Sequence, residues 1–342
     1  MSFIGEIHEQ PGAVRTLAES LKSGQTAAQI RELIHRVKPT QYVFAGMGSS
    51  LFASYIPCTY LCRKGIRSFA FEANELLSSD NPIIDKNTIL IGVSQSGNSM
   101  ETVAFCDAFQ DYPMITVTNR ENGNLSRYGD LQLFLKAGEE LCTATKSYTN
   151  TIAMLVYLGY VLGGASDAEL AVLLEEMYAS ADIIESMIED PAYGDKLADF
   201  LKNRTTLTLV GSGSSYATAC HSHLVCMEAA KELMIGYTAG QFIHGPLELI
   251  NENFASILFD FEPNARTKVD DVMELTEKFG GKSLIFTNRE NMPASQQRMV
   301  VPIPFENRFL APLIEVVPME LMAYTIGERK NCQPGVLHRV HK

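Results

Sequence analysis

The sequence predicts an α/β protein built from two similar domains, each a parallel sheet covered by helices on both faces. A chain of 342 residues, 46% of them hydrophobic, is long enough to form two cores. Short apolar strands alternate with helical stretches through both halves, a pattern typical of parallel sheets. Motifs of the first half also recur in the second. Because parallel sheets bind ligands at the carboxyl ends of their strands, the turns after the strands are the candidate sites.

The internal repeat consists of two motifs that recur in the same order. An apolar strand enters Gly-X-Gly-Ser-Ser at residues 46–50 and again at residues 211–215. Thr-Asn-Arg-Glu-Asn follows another short apolar strand at residues 118–122 and again at residues 287–291. The two offsets, 165 and 169 residues, nearly agree. Duplication of one strand-and-helix domain therefore explains the pattern better than chance does.

A hydroxyl-rich turn, Ser-Gln-Ser-Gly-Asn-Ser at residues 94–99, follows the apolar strand at residues 88–93 and precedes a helical pattern. Such a turn presents free backbone N–H groups at the positive end of the helix dipole, and the serine hydroxyls are further donors. Gly97 allows the backbone to come close to an anion. The turn therefore predicts a site for a phosphate monoester. A serine-rich turn that only caps the helix is the alternative that this segment leaves open.

The second half lacks a comparable turn. Its corresponding position falls near residues 261–264, Phe-Glu-Pro-Asn, which have neither the hydroxyls nor the glycine. One phosphate site per chain is therefore expected, in the first domain. A dinucleotide site is disfavoured, because Gly46-X-Gly48 is not followed by the third glycine of that fingerprint.

Composition limits the partners of this chain. It has 28 basic and 40 acidic residues, a net charge of −12, without a cluster of Lys and Arg, which disfavours nucleic acid and anionic membranes. The amino terminus does not resemble a signal peptide, and no apolar run approaches the roughly 20 residues of a membrane span. Seven scattered cysteines are typical of reduced thiols. A cytoplasmic protein without a metal or cofactor is expected.

Taken together, the motifs resemble a known family. The Gly-Ser-Ser turn, Ser-X-Ser-Gly-X-Ser and His244-Gly245-Pro246 occur in the order seen in tandem sugar-isomerase (SIS) domains of phosphosugar isomerases. The most similar pattern is that of the isomerase module of glucosamine-6-phosphate synthase, and of stand-alone aminosugar-phosphate deaminases and fructosamine-6-phosphate deglycases. The resemblance runs almost from end to end and implies two flavodoxin-like domains. It divides the chain into a helical segment (1–30), a phosphate-binding domain (31–165), a catalytic domain (190–330) and a tail that closes the active site (331–342).

The resemblance also assigns residues that contact the substrate. The side chains expected to hold the sugar phosphate are Ser50, Ser94, Gln95, Ser96 and Ser99. Further candidate contacts, in segments that match the pattern less closely, are Thr143, Thr145 and His338.

In the family that this chain resembles, the catalytic glutamate lies 16 residues before the histidine of His-Gly-Pro. That glutamate is Glu228 if the pattern matches this sequence without a gap, and Glu232 if a gap intervenes. The apolar neighbours of Glu228 predict a raised pKa, suited to a carboxylate that moves a proton between C1 and C2 of a sugar. Because histidine as a residue type exchanges protons near neutral pH, His244 is expected to open the sugar ring. Arg339 stands where the synthases have an imine-forming lysine; because a guanidinium stays protonated, Arg339 is instead expected to stabilise an oxyanion or a phosphate.

Two further histidines, His221 and His223, lie two residues apart in a helical stretch. Residues with that spacing do not share one face of a helix. Both are therefore expected at the surface or at an interface.

The function expected from this resemblance is isomerisation or deglycation of an amino-substituted hexose 6-phosphate, with release of an amine and a hexose phosphate. The alternatives are a simple aldose–ketose phosphosugar isomerase and a non-catalytic protein that senses a sugar phosphate. The first forty residues are too few for the helix-turn-helix region that such sensors often carry. No glutaminase domain precedes the module, so a glucosamine synthase is not expected. A homodimer is implied, because in this family the His244 loop reaches into the partner subunit's active site.

Overall fold

The computed structural model describes residues 2–78, 83–262 and 268–339. The chain forms two compact units. The first unit comprises Glu9–Glu140 and Lys146–Ala181, and the second comprises Met1–His8, Leu141–Thr145 and Asp182–Lys342.

Within the described residues, ten strands form the two sheets. They are β1 (Gln41–Gly46), β2 (Ser68–Glu72), β3 (Thr88–Val93), β4 (Met114–Thr118), β5 (Leu131–Phe134), β6 (Thr206–Gly211), β7 (Met234–Thr238), β8 (Phe254–Asp260), β9 (Lys282–Thr287) and β10 (Arg298–Pro302).

The α-helices lie before, between and after these strands. They are α1 (Phe3–His8), α2 (Gln10–Leu21), α3 (Gln25–Val37), α4 (Ser49–Arg63), α5 (Ala73–Ser78), α6 (Met100–Ala108), α7 (Lys146–Leu162), α8 (Asp167–Ile188), α9 (Tyr193–Leu201), α10 (Ser215–Ala230), α11 (Ala239–Phe242), α12 (Lys268–Lys278) and α13 (Ala311–Arg329).

The two sheets have the same topology. The first has the order β2-β1-β3-β4-β5 and the second, read from the matching edge, β7-β6-β8-β9-β10. Every pairing in both sheets is parallel. Strands β1, β3 and β8 are buried along their whole length. Because both faces of these strands are covered, their sequences are continuous apolar runs rather than alternating apolar and polar residues. The predicted α/β class and the duplicated parallel sheet are confirmed.

The repeated Thr-Asn-Arg-Glu-Asn motif has the same role in both units. It begins at the last residue of β4 and of β9. In each copy the threonine hydroxyl accepts the N–H of the arginine two residues on, at 3.2 and 3.0 Å. The asparagine between the threonine and the arginine links the strand end to a later loop. Asn119 Nδ2 donates to Gly138 O at 2.7 Å, and Asn288 Nδ2 donates to Phe305 O at 3.1 Å. The motif therefore recurs because both sheets need the same junction at this strand.

Helices α10 and α13 of the second unit enclose a buried polar layer. Glu315 accepts hydrogen bonds from Ser215 Oγ at 2.7 Å and Thr218 Oγ1 at 2.5 Å. His221 Nε2 lies 4.0 Å from Glu320 Oε1, and both side chains are fully buried. The expectation that His221 lies at the surface is therefore wrong, because α10 is covered by α13 on the face that carries it. Burial lowers the pKa of His221 to about 3, so the ring is neutral at pH 7.

Glu315 gives the second unit a testable pH dependence. Burial raises the pKa of Glu315 from 4.5 to about 7. The folded chain thus holds this proton more tightly than the unfolded chain, so the stabilisation is complete below pH 4.5 and is lost as the pH rises through about 7. Glu315→Gln should remove this loss. The difference in urea midpoint between Glu315→Gln and wild type should grow in favour of the variant from pH 4.5 to 7; a difference that is constant over this range would contradict the assignment.

Among the residues that the structure describes, no helix is both long and apolar enough to cross a membrane.

Candidate active site

Gly46 brings the end of β1 close to the neighbouring strand and helix. A Cβ added at Gly46 would lie 3.0 Å from Val93 O and 3.1 Å from the Cβ of Ser50. The absence of a side chain therefore lets the first turn of α4, which carries Ser50, approach the carboxyl end of β3. Ser50 is half-buried at this strand end.

The turn at residues 94–99 joins β3 to α6 and is fixed by backbone bonds. Asn119 N donates to Gln95 O at 3.0 Å, and Leu125 N donates to Gly97 O at 2.8 Å. Gly97 has φ +65°, and a Cβ there would lie 2.9 Å from Thr118 Oγ1. Both the left-handed backbone and the close approach require glycine.

Ser99 immediately precedes α6 but does not cap it. Its hydroxyl donates to Glu101 Oε2 at 3.0 Å and accepts from Thr102 Oγ1 at 3.3 Å, and it makes no bond to the backbone N–H groups of the first turn. Ser96 Oγ accepts the N–H of Asn98 at 3.2 Å, which leaves the hydroxyl hydrogen as a donor. A side-chain cap, the alternative to a phosphate site, is therefore not formed by Ser99.

The equivalent end of the second sheet is occupied by carboxylates and arginines. Asp260 and Glu262 are almost fully buried. Arg289 Nε lies 2.5 Å from Asp260, and Arg308 Nη1 lies 3.1 Å from Glu262. Ion pairs thus occupy the place where the first sheet carries serines. Of the segment compared by sequence, Pro263 and Asn264 lie outside the described residues.

A cavity of about 780 Å³ lies in the second unit, between the end of α10 and the tail. This size is within the ordinary range of small-molecule sites. Its lining consists of Met227, Glu228, Lys231, Glu232, Leu233, Asn331, Cys332, Gln333, Leu337, His338 and Arg339. The structure thus brings together three predicted residues, Glu228, His338 and Arg339.

Both candidate catalytic glutamates line this cavity. Glu228 lies in the last turn of α10, and Glu232 lies just beyond the end of that helix. The carboxylate of Glu232 pairs with Lys330 Nζ. Both side chains are therefore accessible from the cavity. Their surroundings are what differ.

Thr143 and Thr145 lie elsewhere in the second unit. Their side chains are almost fully buried, and neither lines the cavity. Thr143 N donates to Gly335 O of the tail at 3.1 Å. Gly335 has φ +79°, and a Cβ there would lie 2.6 Å from the Cβ of Phe3. In this structure Thr143 therefore holds the tail.

His244 lies on an exposed loop of the same unit. The loop follows α11, which starts with a capping box formed by Thr238 and Gln241. Among the described residues the His244 imidazole has no hydrogen-bond or ion-pair partner, and it does not line the cavity that Glu228 lines. A single chain thus does not bring His244 and Glu228 into one cavity.

Comparison with known proteins identifies the family of this chain. The SIS domain matches residues 36–159 and again residues 200–326. The chain belongs to the SIS family. It is 32% identical over 262 residues to the glutamine–fructose-6-phosphate aminotransferase (isomerizing) of Clostridium tetani, a match that covers 74% of this chain and 43% of that protein. The chain spans about half the length of the curated relatives it matches.

Two solved structures are similar over almost the whole chain. Glucosamine-6-phosphate deaminase from Thermotoga maritima has a TM-score of 0.76 at 17% identity, covering 100% of this chain and 98% of that one. Tagatose-6-phosphate ketose/aldose isomerase from Escherichia coli has a TM-score of 0.81 at 16% identity, covering 98% and 94%. At these identities the likeness shows the shared fold. The match to two SIS domains supports an isomerase-type enzyme.

Sequence reasoning missed three residues of the second unit, one of which lines the cavity. Glu6 is fully buried and accepts hydrogen bonds from Leu141 N at 2.7 Å and Cys142 N at 3.2 Å. Lys330 pairs with Glu232, and Lys231 lines the cavity. A glutamate in a short helix and two lysines at helix ends are ordinary surface residues by pattern.

Proposed function

We propose that this SIS protein removes the amine from an amino-substituted hexose 6-phosphate, as a deglycase or deaminase. The observation that carries the proposal is the turn at residues 94–99, where Ser99 leaves the first turn of α6 without a side-chain cap. Open N–H groups, hydroxyl donors and the positive end of a helix dipole suit a phosphate monoester. The cavity that contains two carboxylates and Arg339 supports acid–base chemistry on the rest of the sugar.

The proposed reaction on a ketosamine phosphate starts with ring opening. His244 moves a proton from the hemiketal hydroxyl at C2 to the ring oxygen. Glu228 then removes a proton from C1 to give an enaminol, and the proton returns at C2. The product is an imine at C1, which water hydrolyses to an aldehyde and the free amine. Arg339 stabilises the oxygen that gains negative charge during this transfer.

A simple aldose–ketose isomerase is the second candidate. It would use the same proton transfer between C1 and C2 and stop before any C–N bond breaks. The fold shared with the tagatose-6-phosphate isomerase accommodates this reaction. Binding without turnover would instead indicate a sugar-phosphate sensor.

The experiment that separates these functions is an assay of the full chain against three substrate classes. These are ketosamine 6-phosphates of several amino acids, glucosamine 6-phosphate, and unsubstituted hexose 6-phosphates, with products followed by mass spectrometry. Release of an amine supports the proposal. Turnover confined to the unsubstituted sugars, or none at all, overturns it.

The phosphate turn has its own test in Ser96→Ala. Loss of one hydrogen bond to a charged group is expected to raise KM by about 10- to 150-fold, with a smaller effect on kcat. Ser23→Ala is the matched control, because Ser23 Oγ also accepts the N–H of the residue two positions on, at 3.4 Å, and lies on an exposed turn. Equal KM values for the two variants would contradict the assignment of the phosphate site to this turn.

We further propose that the enzyme acts as a homodimer whose sites are shared between subunits. The exposed His244 loop supports this, and exposed apolar side chains of the same unit, Leu233, Ile235 and Leu249, offer surface for a second copy. A cytoplasmic location is part of the proposal, since all seven cysteines are free thiols, as expected in a reducing compartment.

A further inference from the structure

The tail after α13, residues 331–339, has few anchors. It contains no regular helix or strand, and Val336, His338 and Arg339 are exposed. Within the tail Gly335 is the buried residue, packed on Phe3. Segments with little buried apolar surface open readily, so the position of this tail depends on its few polar contacts.

One of those contacts comes from Lys231. Its Nζ donates to Val336 O of the tail at 2.9 Å and also to Glu228 O in the last turn of α10. A single ammonium group therefore joins the end of the helix that carries Glu228 to the tail that carries His338 and Arg339. Lysine suits this place because the last carbonyls of a helix lack intrahelical partners and favour a cation.

The backbone of Lys231 fits the same role. The residue caps α10 in the left-handed region, with φ +50° and ψ +37°, and its N–H bonds to Cys226 O. This conformation ends the helix beside the cavity. The other lysine at this site, Lys330, is engaged by Glu232, so the two amines have separate partners.

We propose that Lys231 is a positioning residue that fastens the tail, so that His338 and Arg339 line the same cavity as Glu228. The catalytic meaning of this role rests on the proposed function, because it assumes that the cavity is where the sugar reacts. The fastening itself is a property of the ligand-free chain.

Hydrogen exchange of the ligand-free full chain tests the fastening without any substrate. In Lys231→Met, which keeps length and loses the donors, peptides covering residues 331–342 should exchange about 10- to 100-fold faster, the cost of a hydrogen bond to a charged group. Lys231→Arg should restore slow exchange, since a guanidinium can also reach two carbonyls. Lys38→Met is the matched control: Lys38 also caps a helix in the left-handed region, with φ +52°, and is exposed.

Unchanged exchange of the tail in a folded Lys231→Met protein overturns the proposal. So does faster exchange spread over the whole second unit that Lys231→Arg fails to reverse, because that result indicates a general structural role. If Lys231→Met does not fold, Lys231→Gln, which keeps a neutral donor, carries the same prediction with a smaller increase.

Kinetics then connect the fastening to the reaction. Lys231→Met should lower kcat with little change in KM, because the phosphate turn is untouched. Lys231→Met should lower kcat less in the Arg339→Ala variant than in wild type, because the effects of residues that act through one another are not additive. Fully additive losses of kcat would contradict positioning through the tail. If the wild-type chain turns over none of the substrates, the proposed function is contradicted, and the hydrogen-exchange result still tests the fastening.

Discussion

Replacing Glu228 by glutamine is expected to lower turnover by about 10²- to 10⁴-fold while the chain still folds. Glutamine keeps the shape of the side chain and removes the base that moves the proton between C1 and C2. Glu228 is half-buried in the last turn of α10 and lines the cavity, so the substitution should disturb packing little. The measurement is kcat on the substrate found in the assay, with the thermal midpoint as the check on folding.

Glu232→Gln is the decisive comparison, because Glu232 lines the same cavity. A larger loss in Glu232→Gln than in Glu228→Gln would make Glu232 the base and place a gap in the family alignment. Part of any loss could come from breaking the ion pair with Lys330, and Lys330→Met measures that part. Equal effects of Glu232→Gln and Lys330→Met would mean that Glu232 acts through the pair, leaving Glu228 as the base.

Mixing two impaired variants is expected to restore activity at substrate concentrations below the wild-type KM. One carries Ser96→Ala and Ser99→Ala, and the other carries His244→Ala. If the phosphate turn and the His244 loop of each site come from different subunits, every mixed dimer has one site free of all three substitutions. Random exchange of subunits should therefore return about a quarter of the wild-type sites.

The mixing experiment needs proof that subunits exchange, for example a mass-tagged partner recovered with an untagged one. Each variant incubated alone under the same conditions is the control. No recovery after demonstrated exchange would mean that His244 serves its own chain or has no catalytic role. A chain that stays monomeric would overturn the homodimer itself, for which an interface above about 2,000 Å² is expected.

The fold could be predicted because its signals are local. The apolar runs that became buried parallel strands, the repeated motifs at the strand ends, and Gly97 with its left-handed backbone each depend on a few neighbouring residues. The residue types that point to a phosphate at residues 94–99 are equally local. The family pattern added Glu228, His338 and Arg339, whose meeting in one cavity is consistent with that pattern.

The sequence by itself determined the α/β class, the duplicated sheet and the position of the serine-rich turn, because strand and helix periods, glycine freedom and turn chemistry act over short stretches. Only the tertiary structure decided that Ser99 bonds to Glu101 rather than capping α6, that His221 is buried beneath α13, and that Lys231 reaches the tail. The physical reason is the same in each case. The surroundings of a polar side chain are set by packing, and for His221 and Lys231 the groups that packing brings close lie about 100 residues away in the chain.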